Sequence, residues 1–187
     1  MERLSIKTIE VGGFASAITA LHLPMGKDPN YMPEVLVQFM PITGEGNNAI
    51  IQEKYFVKIS PKEMQLMTRL IKAGDEHAKC IRGIRVGVII KAPIWFYREL
   101  ETYGIGRDRL SSESTMHIDC KGLSGEELMA AKDEIKTGHQ QRTVDTISYQ
   151  TLRRIYFQRR NHRLPIWHQF CDWIKTLPFA EQLITIE

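Results

Sequence analysis

One arginine of this sequence falls where a buried charge would need a partner. Four residues recur at the helical spacing i, i+3, i+4 and i+7: Leu152, Ile155, Tyr156 and Arg159. A helix over this segment places all four on its apolar face. A guanidinium keeps its charge when buried and therefore requires an anion. The anion is either a carboxylate of the chain itself or the phosphate of a ligand, and the side chain can alternatively extend its charged end to solvent. An internal ion pair or such an extended side chain is the commoner case and the one that spacing alone favours.

Basic residues are concentrated in the same late segment, whereas acidic residues are scattered. The cluster consists of Arg153, Arg154, Arg159, Arg160 and Arg163. The formal net charge of the whole chain is only +3, so we expect no nucleic-acid partner. A local cationic cluster on a nearly neutral protein suits a small phosphate-bearing ligand better than a long polyanion.

Two further sets of polar residues have both a chemical and a structural interpretation. Hydroxyls are dense from Ser111 to His117 around the single carboxylate of Glu113. Such a set can recognise a pyrimidine edge and a sugar hydroxyl, or it can be a solvated surface loop, which spacing alone favours. Arg98 also has a structural interpretation, because Glu101 lies one helical turn later and is its expected ion-pair partner.

Two His-x-x-Cys pairs supply four potential zinc ligands, His77 with Cys80 and His117 with Cys120. This spacing is weaker evidence than paired Cys-x-x-Cys motifs, and the alternative is a set of ordinary buried thiols. Three widely spaced cysteines are typical of a reducing compartment. The sequence has no Gly-x-Gly-x-x-Gly, Walker-type or nucleophile-elbow motif. We therefore assign no metal ligand and no catalytic residue from the motifs.

The elements that position these residues are mostly strands in the first half and helices in the second. Predicted strands cover 5–11, 35–40, 50–59 and 84–90, with a loop at 24–33 and a turn at 44–48; predicted helices cover 14–23, 61–73, 93–103, 125–136, 145–160 and 165–177. Ser60 with Glu63, and Ser124 with Glu127, predict capping boxes. Asp145 is the predicted cap of the helix that carries Arg159.

These elements predict an α+β fold, a twisted and mostly antiparallel sheet covered by helices. A length of 187 residues predicts a single domain over 1–187 with a sizeable core. No apolar run approaches the roughly 20 residues that span a bilayer, and the first residues lack a signal-peptide pattern. We therefore expect a cytoplasmic protein with no membrane partner.

Several of these segments together resemble the core motif of the flavin-dependent thymidylate synthases. The segments are Gly74-Asp-Glu-His77, Lys91-Ala-Pro-Ile-Trp95, Arg98-Glu99-Leu100 and Ser112-Glu113-Ser114-Thr115. The family has Gly-His-Glu-Ser, Lys-Ala-Pro-Ile-Phe, Arg-Gln-Trp and Asn-Glu-x-Ser at the corresponding places. Gln158-Arg159-Arg160 extends the likeness, which spans about 74–177.

The resemblance implies an enzyme that binds a deoxyuridine monophosphate-like nucleotide and transfers a methyl group to its pyrimidine ring. The family uses FAD for the hydride and methylenetetrahydrofolate for the carbon, and it forms homotetramers whose sites lie between subunits. The implied roles in nucleotide binding are Arg159 and Lys132 at the phosphate, Glu99, Glu113 and Thr115 at the sugar and base, and Arg98 nearby. The implied cofactor contacts are Thr102, Tyr103 and His117.

The sequence departs from the family at the residues that hold the flavin. Thr102-Tyr103-Gly104 replaces the family motif Arg-His-Arg, and His117 replaces a further arginine. Each lost arginine removes a charge-assisted contact of about 1.5–3 kcal/mol to the flavin diphosphate. Two alternatives to the enzyme follow: a non-catalytic nucleotide-binding protein that sequesters or senses its ligand, and a zinc-stabilised interaction module.

Overall fold

The computed structural model describes residues 3–26, 36–38 and 56–187. Its strands are β1 (Ser5–Gly12), β2 (Leu36–Gln38), β3 (Phe56–Lys58), β4 (Arg85–Pro93), β5 (Arg107–Ser112) and β6 (Gln140–Ser148). Four of them form an antiparallel sheet in the order β1-β4-β6-β5, and β2 pairs with β3 in a separate two-stranded sheet.

Helices connect and cover these strands. They are α1 (Phe14–His22), α2 (Pro61–Lys72), α3 (Ile94–Leu100), α4 (Thr115–Ile118), α5 (Gly125–Asp133), α6 (Tyr149–Arg159), α7 (Pro165–Lys175) and α8 (Ala180–Leu183). Short 3₁₀ turns span Leu23–Met25, Ala78–Arg82 and Glu101–Tyr103. The predicted α+β fold with an antiparallel, helix-covered sheet is confirmed.

The core lies on one face of the sheet. Val86, Val88 and Ile90 of β4 are buried, whereas Ile89 is partly exposed and Lys91 is exposed. Alternating side chains of a strand point to opposite faces, so the buried set meets the apolar faces of α1, α2, α6 and α7 in one cluster. Within the described residues, no helix is both long and apolar enough to cross a membrane.

The start of α2 is as predicted from sequence. The Ser60 hydroxyl accepts the backbone N–H of Glu63 at 3.3 Å and donates to the Glu63 carboxylate at 2.9 Å. Pro61 occupies the first helical position, where its missing N–H leaves no intrahelical bond unmade. The corresponding prediction for α5 is wrong, because the Ser124 side chain makes no cap hydrogen bond.

The second half is mostly helical, as predicted, but the predicted start of the helix that carries Arg159 is wrong. Asp145 does not cap a helix; it lies inside β6, and Ser148 is the N-cap of α6, accepting the Thr151 N–H at 3.2 Å. The sequence signal for this strand is its alternation, since Thr143, Asp145 and Ile147 are buried and the residues between them are not. A buried aspartate obscured the pattern.

Most of the predicted polar loop from Ser111 to His117 is strand or helix in the structure. Ser111 and Ser112 end β5, and Thr115 begins α4, so only Glu113 and Ser114 connect the two elements. Of the predicted early strands, the parts at 36–38 and 56–58 are strands, and the predicted turn at 44–48 lies outside the described residues.

One glycine fixes the entry to α1. Gly13 has a φ of +88° and packs so closely on Gly83 that a Cβ atom there would lie 1.9 Å from the Gly83 carbonyl oxygen. Only glycine adopts this conformation without strain. Gly13 thereby joins the start of α1 to the turn that precedes β4.

Candidate functional site

Arg159 lies at the C-terminal end of α6 with its side chain against α3 and α7. Its Nε donates to the Tyr103 hydroxyl at 2.8 Å, and its Nη1 lies 3.6 Å from Oε2 of Glu99. The guanidinium also stacks over Trp167, with 4.5 Å between the carbon and the ring centroid. The side chain is 18% exposed. Arg159 is thus on the inward face, as its spacing predicted, and still reaches the surface.

The carboxylate beside Arg159 has a second partner. Trp167 donates its indole N–H to Oε2 of Glu99 at 2.8 Å. Trp167 is fully buried, and its ring lies 4.8 Å from Phe96 and 5.7 Å from Phe170 between centroids. The sequence identified Trp167 only as part of an apolar stripe, because its contact with Glu99 bridges segments far apart in the chain.

The other arginines of the late cluster have different environments. Arg153 donates to the carbonyl oxygen of Ile184 at 2.9 Å, and Arg160 pairs with Glu187 at 2.6 Å. Arg154 packs over the Tyr103 ring at 5.4 Å and makes no ion pair with the described residues. Arg154 and Arg159 therefore flank the same aromatic ring, and this end of α6 carries excess positive charge.

Lys132 and Thr115, both predicted to bind the nucleotide, contact each other. The Lys132 Nζ donates to the Thr115 hydroxyl at 2.8 Å, which joins α5 to the start of α4. None of the hydrogen bonds, ion pairs or ring contacts among the described residues links this pair to Arg159. The predicted phosphate contacts thus fall into two separate clusters of the chain.

Glu113 is paired within the chain. Arg142 Nε donates to Glu113 Oε1 at 2.6 Å, and the Arg142 backbone N–H donates to Oε2 at 2.8 Å. The hydrogen bond from the Arg142 side chain is the main reason that the pKa of Glu113 lies below its usual value. The pair borders a depression of about 340 Å³ with Ile89, Ser111, Ser112, Thr143 and Val144.

The remaining predicted residues differ in accessibility. Arg98 is exposed, and the structure corrects its expected partner, because Glu101 pairs with Arg109 at 3.0 Å instead. Thr102 donates its hydroxyl to the Glu99 carbonyl oxygen at 2.7 Å. Tyr103 is buried and His117 is exposed. The cofactor roles of Thr102, Tyr103 and His117 remain predictions that rest on the resemblance.

A buried ion pair at the β5–β6 pairing was missed from sequence. Arg107 Nη2 donates to Asp145 Oδ1 at 2.9 Å, and Thr143 donates to Oδ2 at 2.6 Å. Burial lowers the pKa of Arg107, and the charge of Asp145 opposes that shift. Arg109 lies 3.9 Å from Oδ1 of Asp145 and packs over the Tyr97 ring. The pairing was missed because Asp145 was assigned to a helix cap and its partner Arg107 lies in a distant segment of the sequence.

The two His-x-x-Cys pairs do not form a metal site in the described part of the chain. No group of three or more His, Cys, Asp or Glu side chains there is placed to hold a metal ion. Cys80 and Cys120 are buried, and desolvation raises the pKa of the Cys80 thiol. Both cysteines fit the alternative of ordinary buried thiols.

Neither a protein-family model nor a curated protein sequence matches this chain. Solved structures match over nearly its whole length. The flavin-dependent thymidylate synthase ThyX from Helicobacter pylori, complexed with FAD and dUMP, is 10% identical, with a TM-score of 0.65 over 97% of this chain and 98% of that chain. This chain has the fold of the flavin-dependent thymidylate synthases.

A second neighbour extends this thymidylate synthase-like fold to a related activity. The UMP/dUMP methylase PolB from Streptomyces cacaoi, bound with 5-Br dUMP, is 11% identical, with a TM-score of 0.60 over 99% of this chain and 96% of that chain. The likeness predicted from residues 74–177 is confirmed for the fold. Fold alone does not determine activity, so function has to be argued from the site.

The donor set at residues 102–104 does not fit the family's mode of holding a flavin diphosphate. No cationic side chain belongs to this segment. The Thr102 hydroxyl is engaged by a backbone carbonyl, and the Tyr103 hydroxyl accepts from Arg159. A diphosphate requires charge-assisted donors, and this segment supplies none.

Proposed function

We propose that this chain binds a pyrimidine nucleoside monophosphate such as dUMP, with Arg159 at the phosphate. The observation that carries the proposal is that Arg159 makes an ion pair, but no direct hydrogen bond, with a carboxylate of the described residues. Among the residues that the structure describes, its one carboxylate partner, Glu99, lies at 3.6 Å, beyond the 2.7–2.9 Å of a charge-assisted hydrogen bond. The guanidinium remains accessible and has Arg154 beside it. Two neighbours of the same fold carry dUMP or its 5-bromo analogue.

The proposed site is shared between copies of the chain. Lys132 and Thr115 form a cluster apart from Arg159, and a second copy can bring the two clusters together, as the resemblance implies for a homotetramer. The surface near Lys132 supports this arrangement. α5 is nine residues long and buries none of them, and Met129 and Ile118 are 61% and 60% exposed. A helix this short gains its stability from packing.

Two activities are compatible with nucleotide binding. The resemblance implies modification of the pyrimidine ring with a reduced flavin. Binding without turnover, in a protein that sequesters or senses the nucleotide, is favoured by one specific observation, the lack of cationic donors at 102–104. Flavin binding separates the two activities, because the enzyme requires it and the sensor does not.

Calorimetric titration with dUMP and deoxyuridine tests the proposal. The wild-type chain is expected to bind dUMP more tightly than deoxyuridine, and Arg159→Ala to remove most of that preference, by about 10- to 100-fold in dUMP affinity. Arg160→Ala is the matched control, since Arg160 is the next residue and pairs with Glu187 at the surface. Equal affinity of the wild type for both ligands would contradict the proposal.

A further inference from the structure

One carboxylate oxygen serves two donors beside the proposed phosphate site. Oε2 of Glu99 accepts the indole N–H of Trp167 at 2.8 Å and lies 3.6 Å from Nη1 of Arg159. The indole contact has ordinary hydrogen-bond geometry, whereas the distance to the guanidinium is too long for one. Glu99 is therefore hydrogen-bonded to the uncharged indole of Trp167 but not to the charged guanidinium of Arg159.

This preference is unexpected from charge alone. An arginine and a carboxylate with free movement form a direct pair, commonly bidentate, at 2.7–2.9 Å. Arg142 and Glu113 in this chain form such a direct pair, with Nε and Nη2 of Arg142 at 2.6 and 2.5 Å from the same oxygen, Oε1. We infer from the longer Arg159–Glu99 distance that neighbouring residues restrain the carboxylate, the guanidinium or both.

Both restraints are visible in the packing. Trp167 is fully buried among Phe96 and Phe170, so its N–H points in a fixed direction and anchors Glu99. Arg159 is fixed separately, because its Nε donates to Tyr103 and its guanidinium carbon lies over the Trp167 ring. The terminal guanidinium nitrogens of Arg159 are thus held in position without a hydrogen bond to the carboxylate of Glu99.

We propose that Trp167 is a positioning residue that holds Glu99 back from Arg159 and so leaves the guanidinium open to a phosphate. This inference rests on the proposed function, since it concerns the same site. Without the indole N–H, Glu99 rotates onto Arg159 and forms a direct ion pair. The ligand phosphate then has to displace a carboxylate before it can bind.

The test is the dUMP-to-deoxyuridine affinity ratio in Trp167→Phe, measured by calorimetry. Phenylalanine keeps an aromatic ring under Arg159 and removes the N–H. We expect the ratio to fall by about tenfold, the effect of one charge-assisted interaction. Trp173→Phe is the matched control, because its indole N–H donates to Thr8 at 3.0 Å, away from Arg159, and it should leave the ratio unchanged.

Rescue distinguishes positioning from loss of packing. Glu99→Gln removes the competing charge, so Trp167→Phe combined with Glu99→Gln should recover the ratio of Glu99→Gln alone. A purely structural role of Trp167 would weaken both ligands equally and would not be rescued. Inorganic phosphate serves as a second probe, as its affinity should follow the same order among the variants.

The outcomes separate the two proposals. If the wild type prefers dUMP and Trp167→Phe keeps that preference, the positioning role is wrong and the nucleotide site stands. A lowered ratio without rescue by Glu99→Gln also refutes the positioning role. If the wild type shows no preference for dUMP or affinity for phosphate, both proposals are wrong.

Discussion

Arg107 and Asp145 form an ion pair across the β5–β6 pairing with both side chains almost completely buried, at 4% and 0% exposure. Such a pair is costly to break, because removing one partner leaves the other charged in a medium of low polarity. We expect Asp145→Asn to lower the free energy of unfolding by about 3–5 kcal/mol, measured by urea denaturation.

The control for this change is a more exposed ion pair made by Asp108, the residue next to Arg107 in β5. Asp108 pairs with Arg85, with the Asp108 side chain 67% exposed. Asp108→Asn should alter the free energy of unfolding by at most about 1 kcal/mol. Equal effects of the two substitutions would show that burial does not determine the contribution of Asp145.

The hydroxyl of Ser60 gives a second stability prediction. Ser60→Ala removes the acceptor for the Glu63 N–H at the start of α2 and should destabilise the chain by about 1 kcal/mol. Ser124→Ala is the matched control, because Ser124 precedes α5 without making a cap bond and its replacement should have little effect. A shift of the thermal midpoint for Ser124→Ala as large as for Ser60→Ala would refute the assignment.

Pairing with Arg142 makes the contribution of Glu113 pH-dependent. The pKa of Glu113 is lower in the folded chain than its ordinary value of 4.5, so the folded state binds fewer protons than the unfolded state. The stabilisation is therefore present above about pH 4.5 and is lost as the pH falls through the lowered pKa. Glu113→Gln should flatten the acid limb of the urea midpoint plotted against pH.

The control for this plot is Glu126→Gln. Glu126 is an exposed residue in the first turn of α5 without an ion pair to the described residues. Its replacement should leave the acid limb as steep as in the wild type. An unchanged limb in Glu113→Gln would mean that Arg142 does not stabilise the Glu113 carboxylate.

Flavin affinity is predicted to follow the number of arginines at residues 102–104. The wild-type chain should bind FAD weakly, as measured by the quenching of flavin fluorescence. Thr102→Arg with Gly104→Arg should strengthen binding by at least about tenfold. Both positions are exposed, and a Cβ at Gly104 would meet nothing closer than 3.5 Å. Purification of the wild type with a full complement of FAD would contradict this prediction.

The exposed residues of α4 and α5 predict self-association. Met129→Asp should lower the mass measured by sedimentation and weaken dUMP binding together, because Lys132 lies on the same helix. Leu23→Asp introduces the same charge at a residue that is 55% exposed near the end of α1 and is the control. A monomeric wild type that binds dUMP tightly would refute the shared site.

Local patterns were sufficient to predict the elements whose signals lie within one segment. The Ser60-Pro61-Glu63 start of α2 and the alternation of β4 depend on neighbouring residues and were recovered. β6 was missed because Asp145 occupies a core position of a strand. Its burial is acceptable only because Arg107 forms an ion pair with it, and that partner belongs to a different segment.

The candidate site shows the same division. The inward direction of Arg159 followed from the helical spacing of its neighbours. Its environment did not, since Glu99, Tyr103 and Trp167 come from two other segments that meet only in the folded chain. From sequence, Arg159 could have an internal partner or a ligand. In the structure Glu99 is an internal partner at 3.6 Å, and a phosphate ligand is compatible with that distance because Glu99 makes no direct hydrogen bond to the guanidinium.

Gly13 has a consequence for how far relatives of this chain can diverge. The contact with the Gly83 carbonyl leaves no volume for any side chain, and the backbone twist at +88° disfavours one as well. We therefore expect relatives with this fold to tolerate substitutions over most of the surface but to retain glycine at the position of Gly13. A sequence search that gives extra weight to positions with no space for a side chain, such as Gly13, should therefore find distant relatives that overall sequence identity does not detect.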